Sequence, residues 1–96
     1  MSKGYNYNYI FVMYDVGEKR CHKVFKICKK YLTHYQLSVF RGKITPSQII
    51  KLKAEINSII NKEEDSVAII KFLNDHYFEE ESLGKKQSLV EQNLFV

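Results

Sequence analysis

The sequence predicts an α+β fold in which two helices lie on one face of a mainly antiparallel sheet. Three observations predict it. An apolar run, Tyr9-Ile-Phe-Val-Met-Tyr-Asp-Val16, is rich in aromatic and β-branched residues. Two later segments, 18–32 and 45–62, carry apolar stripes at helical spacing. Short β-rich segments, 36–41 and 66–73, follow those helical patterns.

Residues 9–15 form the first strand, and its two apolar faces mark a central one. Val16-Gly17 breaks it. Over 18–32, Cys21, Val24, Phe25, Cys28, Tyr31 and Leu32 share one stripe of a helix. Lys19, Lys23, Lys26 and Lys30 share the opposite stripe, with Arg20 near the edge. Thr33-His34-Tyr35 ends that helix. Gln36 to Arg41 is short and β-rich, Gly42 bends the chain, and Lys43-Ile44 continues it. The segment 36–44 fits one kinked strand or a tight hairpin equally well.

Thr45-Pro46-Ser47-Gln48 is a helix start. Thr45 caps, Pro46 suits the first helical position, and Gln48 can reach back to complete a capping box. Ile49, Leu52, Ile56, Ile59 and Ile60 then give an apolar stripe that runs to about Lys62. Lys62-Glu-Glu-Asp65 reads as a polar turn, and Ser66 to Leu73 as the next strand. Asn74-Asp75 turns the chain, and Tyr77 to Leu83 reads as a further, acidic strand that meets Gly84. The domain therefore spans 1–84. The remainder, 85–96, is a tail whose apolar end, Leu94-Phe95-Val96, would dock on a partner. The order βαββαβ with an extra C-terminal strand is the ferredoxin-like arrangement. The sheet face away from the helices needs cover, and a second copy of the chain would supply it, making a homodimer.

At 96 residues the chain is one domain. A chain of this size buries roughly 60–65% of its unfolded surface, a modest core that a dimer interface would extend. Hydrophobic residues at 45% and aromatics at 14% exclude the disordered class. No apolar run approaches the ~20 residues that span a bilayer. The start, Met-Ser-Lys-Gly-Tyr-Asn-Tyr-Asn, lacks the apolar core and cleavage site of a signal peptide. The expectation is a soluble, cytoplasmic protein with no membrane partner.

Charge is divided unevenly. Residues 1–62 carry twelve Lys/Arg against three acids, and 63–96 carry three against eight. A basic body with an acidic C-terminal segment points to a polyanionic partner, or else to a lysine-rich solvated surface. Cys21 and Cys28 lie seven apart, so on a helix their Cα atoms are about 10 Å apart, too far for a disulfide. They read as reduced, buried thiols on the apolar stripe, which disfavours a cysteine nucleophile. His22, His34 and His76 lack metal-ligand spacing. Tyr5, Tyr7, Tyr9 and Phe11 alternate as in an RNA-recognition sheet, but the matching Gly-aromatic motif is missing.

Asp15 carries the sharpest chemistry. It ends the first strand just before a basic helix, so its carboxylate stands at a sheet rim where a metal or phosphate can reach it. One carboxylate is too little for a metal site. Asp15 is therefore either a helix cap that forms a capping box with Glu18, or one half of a pair brought together in a dimer.

In order along nearly the whole chain, the residues resemble the CRISPR-associated endonuclease Cas-two family, the small partner of the CRISPR integrase in spacer acquisition. The resemblance rests on Tyr14-Asp15-Val16 ending the apolar strand, and on Lys19-Arg20 opening a helix that contains Val24. It continues through Gln36-Leu-Ser-Val-Phe40 with Gly42, the Thr45 helix start, Asp65-Ser-Val67, and Ser82-Leu-Gly84. It implies a ferredoxin-like homodimer with facing sheets and C-terminal strands that reach the partner. It also implies metal-dependent nuclease activity on RNA or double-stranded DNA, or a non-catalytic bridge between integrase subunits. Asp15 would then be the catalytic and metal-binding residue, for Mg²⁺ or Mn²⁺. Lys19, Arg20, Lys23, Lys26 and Arg41 would contact nucleic acid, with Ser38 and Phe40 in support. Arg41 stands where the family often has an acid, which favours DNA contact. A toxin-like endoribonuclease of the same fold and a purely structural DNA-binding adaptor are the alternatives.

Overall fold

A computed structural model describes residues 8–72 and 78–84. Its elements are β1 (Tyr9–Asp15), α1 (Glu18–Tyr31), β2 (Thr33–Gln36), β3 (Val39–Lys43), α2 (Pro46–Ile59), β4 (Ser66–Phe72) and β5 (Phe78–Gly84). The strands form one sheet in the order β2-β3-β1-β4-β5, and every adjacent pair is antiparallel. This is the ferredoxin-like arrangement with an added edge strand, as the sequence predicts.

The central strand is β1, paired with β3 on one side and β4 on the other. Its alternation explains the two apolar faces. Ile10, Val12 and Tyr14 are buried in the main core with Val24 and Cys28 of α1 and Leu52 and Ile56 of α2. On the opposite face, Phe11 and Met13 pack with Ala68, Ile70 and Phe72 in a second apolar cluster. The chain therefore needs burial on both sides of β1, although its helices cover only one.

Helix α2 starts as its sequence dictates. The Thr45 hydroxyl accepts the Gln48 N–H at 3.2 Å, and the Gln48 side chain accepts the Thr45 N–H at 3.1 Å. Pro46 follows at the first helical position, where its missing N–H is not needed. The helix stops at Ile59 rather than near Lys62, because Ile60 turns extended and buries its side chain in the core.

Two boundaries differ from the reading of the sequence. Helix α1 ends at Tyr31, and Thr33-His34-Tyr35, taken as the helix end, belong to β2. The β-branched and aromatic side chains there suit a sheet edge better than a last helical turn. Of the two readings left open for 36–44, a hairpin forms, but its first arm is β2, over 33–36, so the segment itself holds the end of β2, the turn and β3. Leu37 and Ser38 make its turn, with Leu37 at φ 45°. The His34 Nε2 lies 2.7 Å from the Leu37 carbonyl oxygen and braces that turn. The apolar terminus, the 74–75 turn, His76 and the Tyr5 and Tyr7 pattern lie outside the described residues.

Candidate functional site

Asp15 is the last residue of β1 and is exposed. Its side chain makes no hydrogen bond or ion pair with any described residue. It is not a helix cap. The cap position of α1 is Gly17, which has no side-chain oxygen, so the capping box with Glu18 does not form. The physical reason is that Asp15 is still paired in the sheet, opposite Ser66 of β4. The Gly17 carbonyl accepts the first helical N–H groups, from Arg20 at 2.9 Å and Cys21 at 3.0 Å.

Beside Asp15, the Tyr14 N–H donates to the Ser38 carbonyl at 3.1 Å, tying the hairpin turn to the end of β1. Tyr14 is buried, and that burial, helped by Cys28 and Cys21, pushes its phenol up to about 12. Burial likewise pushes the Cys28 thiol up to about 12. Both cysteines are free; Cys28 is buried as expected, whereas Cys21 is only half-buried. Phe40 is fully buried, stacked on Tyr14 at 6.3 Å and edge-on to Phe25 at 5.1 Å. It is a core residue with no face left to stack on a base.

The residue that organises this corner is one the sequence reading left in a polar turn. Asp65 is fully buried. Its Oδ1 accepts the Gly17 N–H at 2.8 Å and Arg20 Nη2 at 3.0 Å. Its Oδ2 accepts Arg20 Nε at 2.6 Å and the Asn61 N–H at 2.8 Å. Four donors saturate the carboxylate, and the guanidinium binds it in the bidentate manner that makes such pairs strong. The Arg20 guanidinium holds Asp65 well below the usual carboxylate range, and Asp65 raises Arg20 in return. Arg20 Nη2 also reaches Glu64 at 3.0 Å.

Two glycines complete the corner. A Cβ on Gly17 would lie 2.6 Å from Arg20 Nη2. Gly84 has φ +77°, and a Cβ there would lie 2.4 Å from the Asp65 carbonyl oxygen. The end of β5 thus closes over the same junction, with Gly84 in a left-handed conformation that only glycine adopts without strain.

Among the candidate nucleic-acid residues, Lys19, Lys23 and Lys26 are exposed along α1 and make no ion pair with a described residue. Lys30 differs, because it and Tyr31 both bind Glu55 of α2. A shallow hollow of about 370 Å³ lies between His22, Phe25, Lys26, Lys29 and Lys30. Arg20 shares the helix with the free lysines but is held by Asp65. Arg41 lies 4.3 Å from the Tyr35 ring, opposite Phe11 in register, on the sheet face away from α1. One chain therefore does not bring Arg41 and the α1 lysines together.

Among the described residues no three His, Cys, Asp or Glu side chains gather to hold a metal. Among the described residues, Asp15 offers an uncommitted hard-oxygen donor at the end of the central strand. That donor chemistry suits Mg²⁺ or Mn²⁺, and Mg²⁺ in particular takes one or two carboxylates and fills its shell with water and phosphate oxygens. A symmetric pair of Asp15 carboxylates would meet that need.

The family model described as CRISPR associated protein Cas2 matches residues 8–80. The chain belongs to the Cas2 family. It is 41% identical over 76 residues to the CRISPR-associated endoribonuclease Cas2 of Thermotoga maritima, covering 79% of this chain and 87% of that protein. It is 41% identical over 86 residues to the protein of the same name from Dictyoglomus turgidum, covering 90% and 99%. A relative from Halalkalibacterium halodurans, 35% identical over 86 residues (83% and 90% covered), is called CRISPR-associated endonuclease Cas2. A solved Cas2 crystal structure superposes with a TM-score of 0.67 at 33% identity, covering 84% of this chain and 91% of that one. Streptococcus pyogenes Cas2 gives 0.61 at 30% identity, covering 71% and 87%. The resemblance already included both Lys19-Arg20 and Asp65-Ser-Val67, but only the geometry shows that Arg20 and Asp65 meet. Among the described residues, no helix is long and apolar enough to cross a membrane.

Proposed function

We propose that this Cas2-family chain acts in CRISPR adaptation as a homodimer that binds double-stranded DNA and bridges subunits of the CRISPR integrase. In this reading the two Asp15 carboxylates face each other across the two-fold axis and hold Mg²⁺ or Mn²⁺. Residues Lys19, Lys23 and Lys26 of each copy contact phosphates, and Arg41 adds charge from the opposite face of the sheet. The two Asp15 carboxylates would hold the metal, which would supply an activated water and charge stabilisation for phosphodiester hydrolysis. The observation that carries the reading is the exposed Asp15, free of any partner among the described residues, at the end of the central strand. Burial needs on both faces of β1 support the dimer, since the helices of one copy cover only one face.

The test is Asp15→Asn in the purified full-length protein. This change removes charge and keeps shape. Mg²⁺- or Mn²⁺-dependent cleavage of duplex DNA and of RNA should vanish while the dimer persists. Spacer acquisition is assayed beside it. Lost cleavage with intact acquisition would make the protein a bridge whose nuclease is dispensable. Wild-type cleavage by Asp15→Asn would remove the metal site.

A second reading, an endoribonuclease that cuts RNA on its own, is favoured by the names that relatives from Thermotoga maritima and Dictyoglomus turgidum carry. Competition between duplex DNA and single-stranded RNA separates the two. Preferential Asp15-dependent cleavage of RNA would select the second.

A further inference from the structure

Asp65 lies in a corner that touches Asp15 from two directions. In sequence it precedes Ser66, the residue paired with Asp15 across β1 and β4. In space its Oδ1 holds the N–H of Gly17, two residues beyond Asp15. The segment from Asp15 to Gly17 is therefore fixed at both ends, by the strand ladder before it and by a buried carboxylate after it. Arg20, one turn into α1, is held by the same carboxylate at 2.6 and 3.0 Å. The Asn61 N–H, at 2.8 Å, adds the end of the α2–β4 connection to the knot. Two charged residues from separate parts of the chain thus meet behind the rim, where neither is free to meet a substrate first.

A surface ion pair would need none of this. The Asp65 side chain is fully excluded from solvent, and the Arg20 side chain is 23% exposed. All four acceptor positions are filled by donors from three residues on two segments. A Cβ on Gly17 would crowd the Arg20 guanidinium, and one on Gly84 would strike the Asp65 backbone carbonyl, so the chain packs closely around the pair. Asp65 does not touch the Asp15 carboxylate but fixes the backbone that carries it; for comparison, hydrogen bonds made directly to metal-binding groups are worth roughly 10- to 100-fold in affinity.

We infer that Asp65, acting through the Gly17 N–H and the Arg20 guanidinium, is the positioning residue that sets the angle at which Asp15 leaves the sheet. The inference rests on the metal reading of Asp15 given above. In a homodimer each Asp65 aims its own Asp15 at the axis. A small change in that angle is doubled across the symmetric pair, so the spacing of the two carboxylates depends on both corners.

The experiment measures Mn²⁺ binding by the full-length dimer, by calorimetry and by the loss of the free-ion electron paramagnetic resonance signal. Five proteins are compared: wild type, Asp15→Asn, Asp65→Asn, Arg20→Lys and Glu81→Gln. Arg20→Lys keeps a positive charge beside Asp65 but loses the planar fork, so it tests the bidentate contact without removing the buried carboxylate. Glu81→Gln breaks the remote contacts of Glu81 with Lys53 and Lys71 and serves as a destabilised control. Asp15→Asn should lose the site. Asp65→Asn and Arg20→Lys should bind Mn²⁺ about tenfold more weakly or worse while folded. Glu81→Gln should bind as wild type despite a lower melting temperature. Amide exchange at Gly17 should quicken in Arg20→Lys while the β1–β4 ladder stays protected.

Wild-type Mn²⁺ affinity in Arg20→Lys, with unchanged exchange at Gly17, overturns the positioning role. Equal weakening in Glu81→Gln also overturns it, because a general loss of stability would then explain the effect. Wild-type Mn²⁺ binding by Asp15→Asn overturns the metal reading itself, and that result is distinct from the other two.

Discussion

Asp15 and Asp65 stand at the same end of the sheet, next to one another through the pairing of Asp15 with Ser66, yet their surroundings are opposite. Asp15 is exposed and touches no cation or donor among the described residues. Asp65 is buried and saturated by four donors. A carboxylate that supports structure is surrounded by donors that keep it charged. A carboxylate kept for a ligand is left open and held from behind. The contrast gives Asp65 a structural role and, on the proposed reading, leaves Asp15 for chemistry, although both are acids at the ends of apolar strands in the sequence.

The largest expected separation between them is in activity. Asp15→Asn should reduce metal-dependent cleavage to the metal-free background while shifting the melting temperature by no more than about 3 °C, as for an exposed residue. Calorimetry beside a cleavage assay checks both halves. A large loss of stability would mean that Asp15 carries structure after all.

Asp65→Ala should do the reverse in stability. It leaves the Gly17 and Asn61 N–H groups without an acceptor inside the protein. Its expected cost is about 3 kcal/mol, a fall of roughly 15 °C in melting temperature for a domain of this size. Chemical denaturation measures it. The acid dependence sharpens the assignment. The folded-state pKa of Asp65 is depressed by Arg20. Its contribution is therefore full above the unfolded carboxylate pKa of about 4, and is lost as pH falls from there toward the folded value. Asp65→Asn should flatten that acid limb, and Asp15→Asn should leave it in place.

A smaller effect concerns the outer face of α1. Replacing Lys19, Lys23 and Lys26 by Ala should weaken duplex binding and lower the salt slope by about one unit per lost phosphate contact. Adding Arg20→Ala should cost stability as well, since that guanidinium holds Asp65. An unchanged salt slope in the triple variant would mean the lysines are only a solvated face.

The smallest effect is alkaline. Cys28 and Tyr14 have folded pKa values pushed up to about 12. The unfolded chain gives up these protons first, near pH 8.5 for Cys and 10 for Tyr. Stability should therefore decline as pH rises from about 9 toward 12. Cys28→Ser should remove part of that decline, read by thermal melts across the range.

Much of the fold was legible because each element carries a local signal. The Thr45-Pro46 start gives its own capping pattern, and the alternation in β1 announces a strand buried on both faces. The β2–β3 hairpin was legible only as an ambiguity, because Leu37 in a left-handed turn has no sequence signature of the kind that Gly or Asn would give. Asp15 could be singled out by its place between an apolar strand and a basic helix. Asp65 could not. It ends an acidic run, Glu63-Glu64-Asp65, that looks solvated, and its partner Arg20 lies 45 residues away in a stripe of lysines that looks equally solvated. A buried pair assembled by two loops leaves no periodic trace. The one available hint was Gly17, a glycine at a helix start where a capping side chain is the usual choice.

The central claim is that an exposed Asp15 works only as one of two. The most direct measurement is the stoichiometry of Mn²⁺ on the full-length protein, with the oligomeric state determined by light scattering on the same sample. The account predicts a dimer with one tight Mn²⁺ per two chains, absent in Asp15→Asn. A monomer that binds one Mn²⁺ per chain, or an Asp15→Asn dimer that binds Mn²⁺ as tightly as wild type, would contradict it.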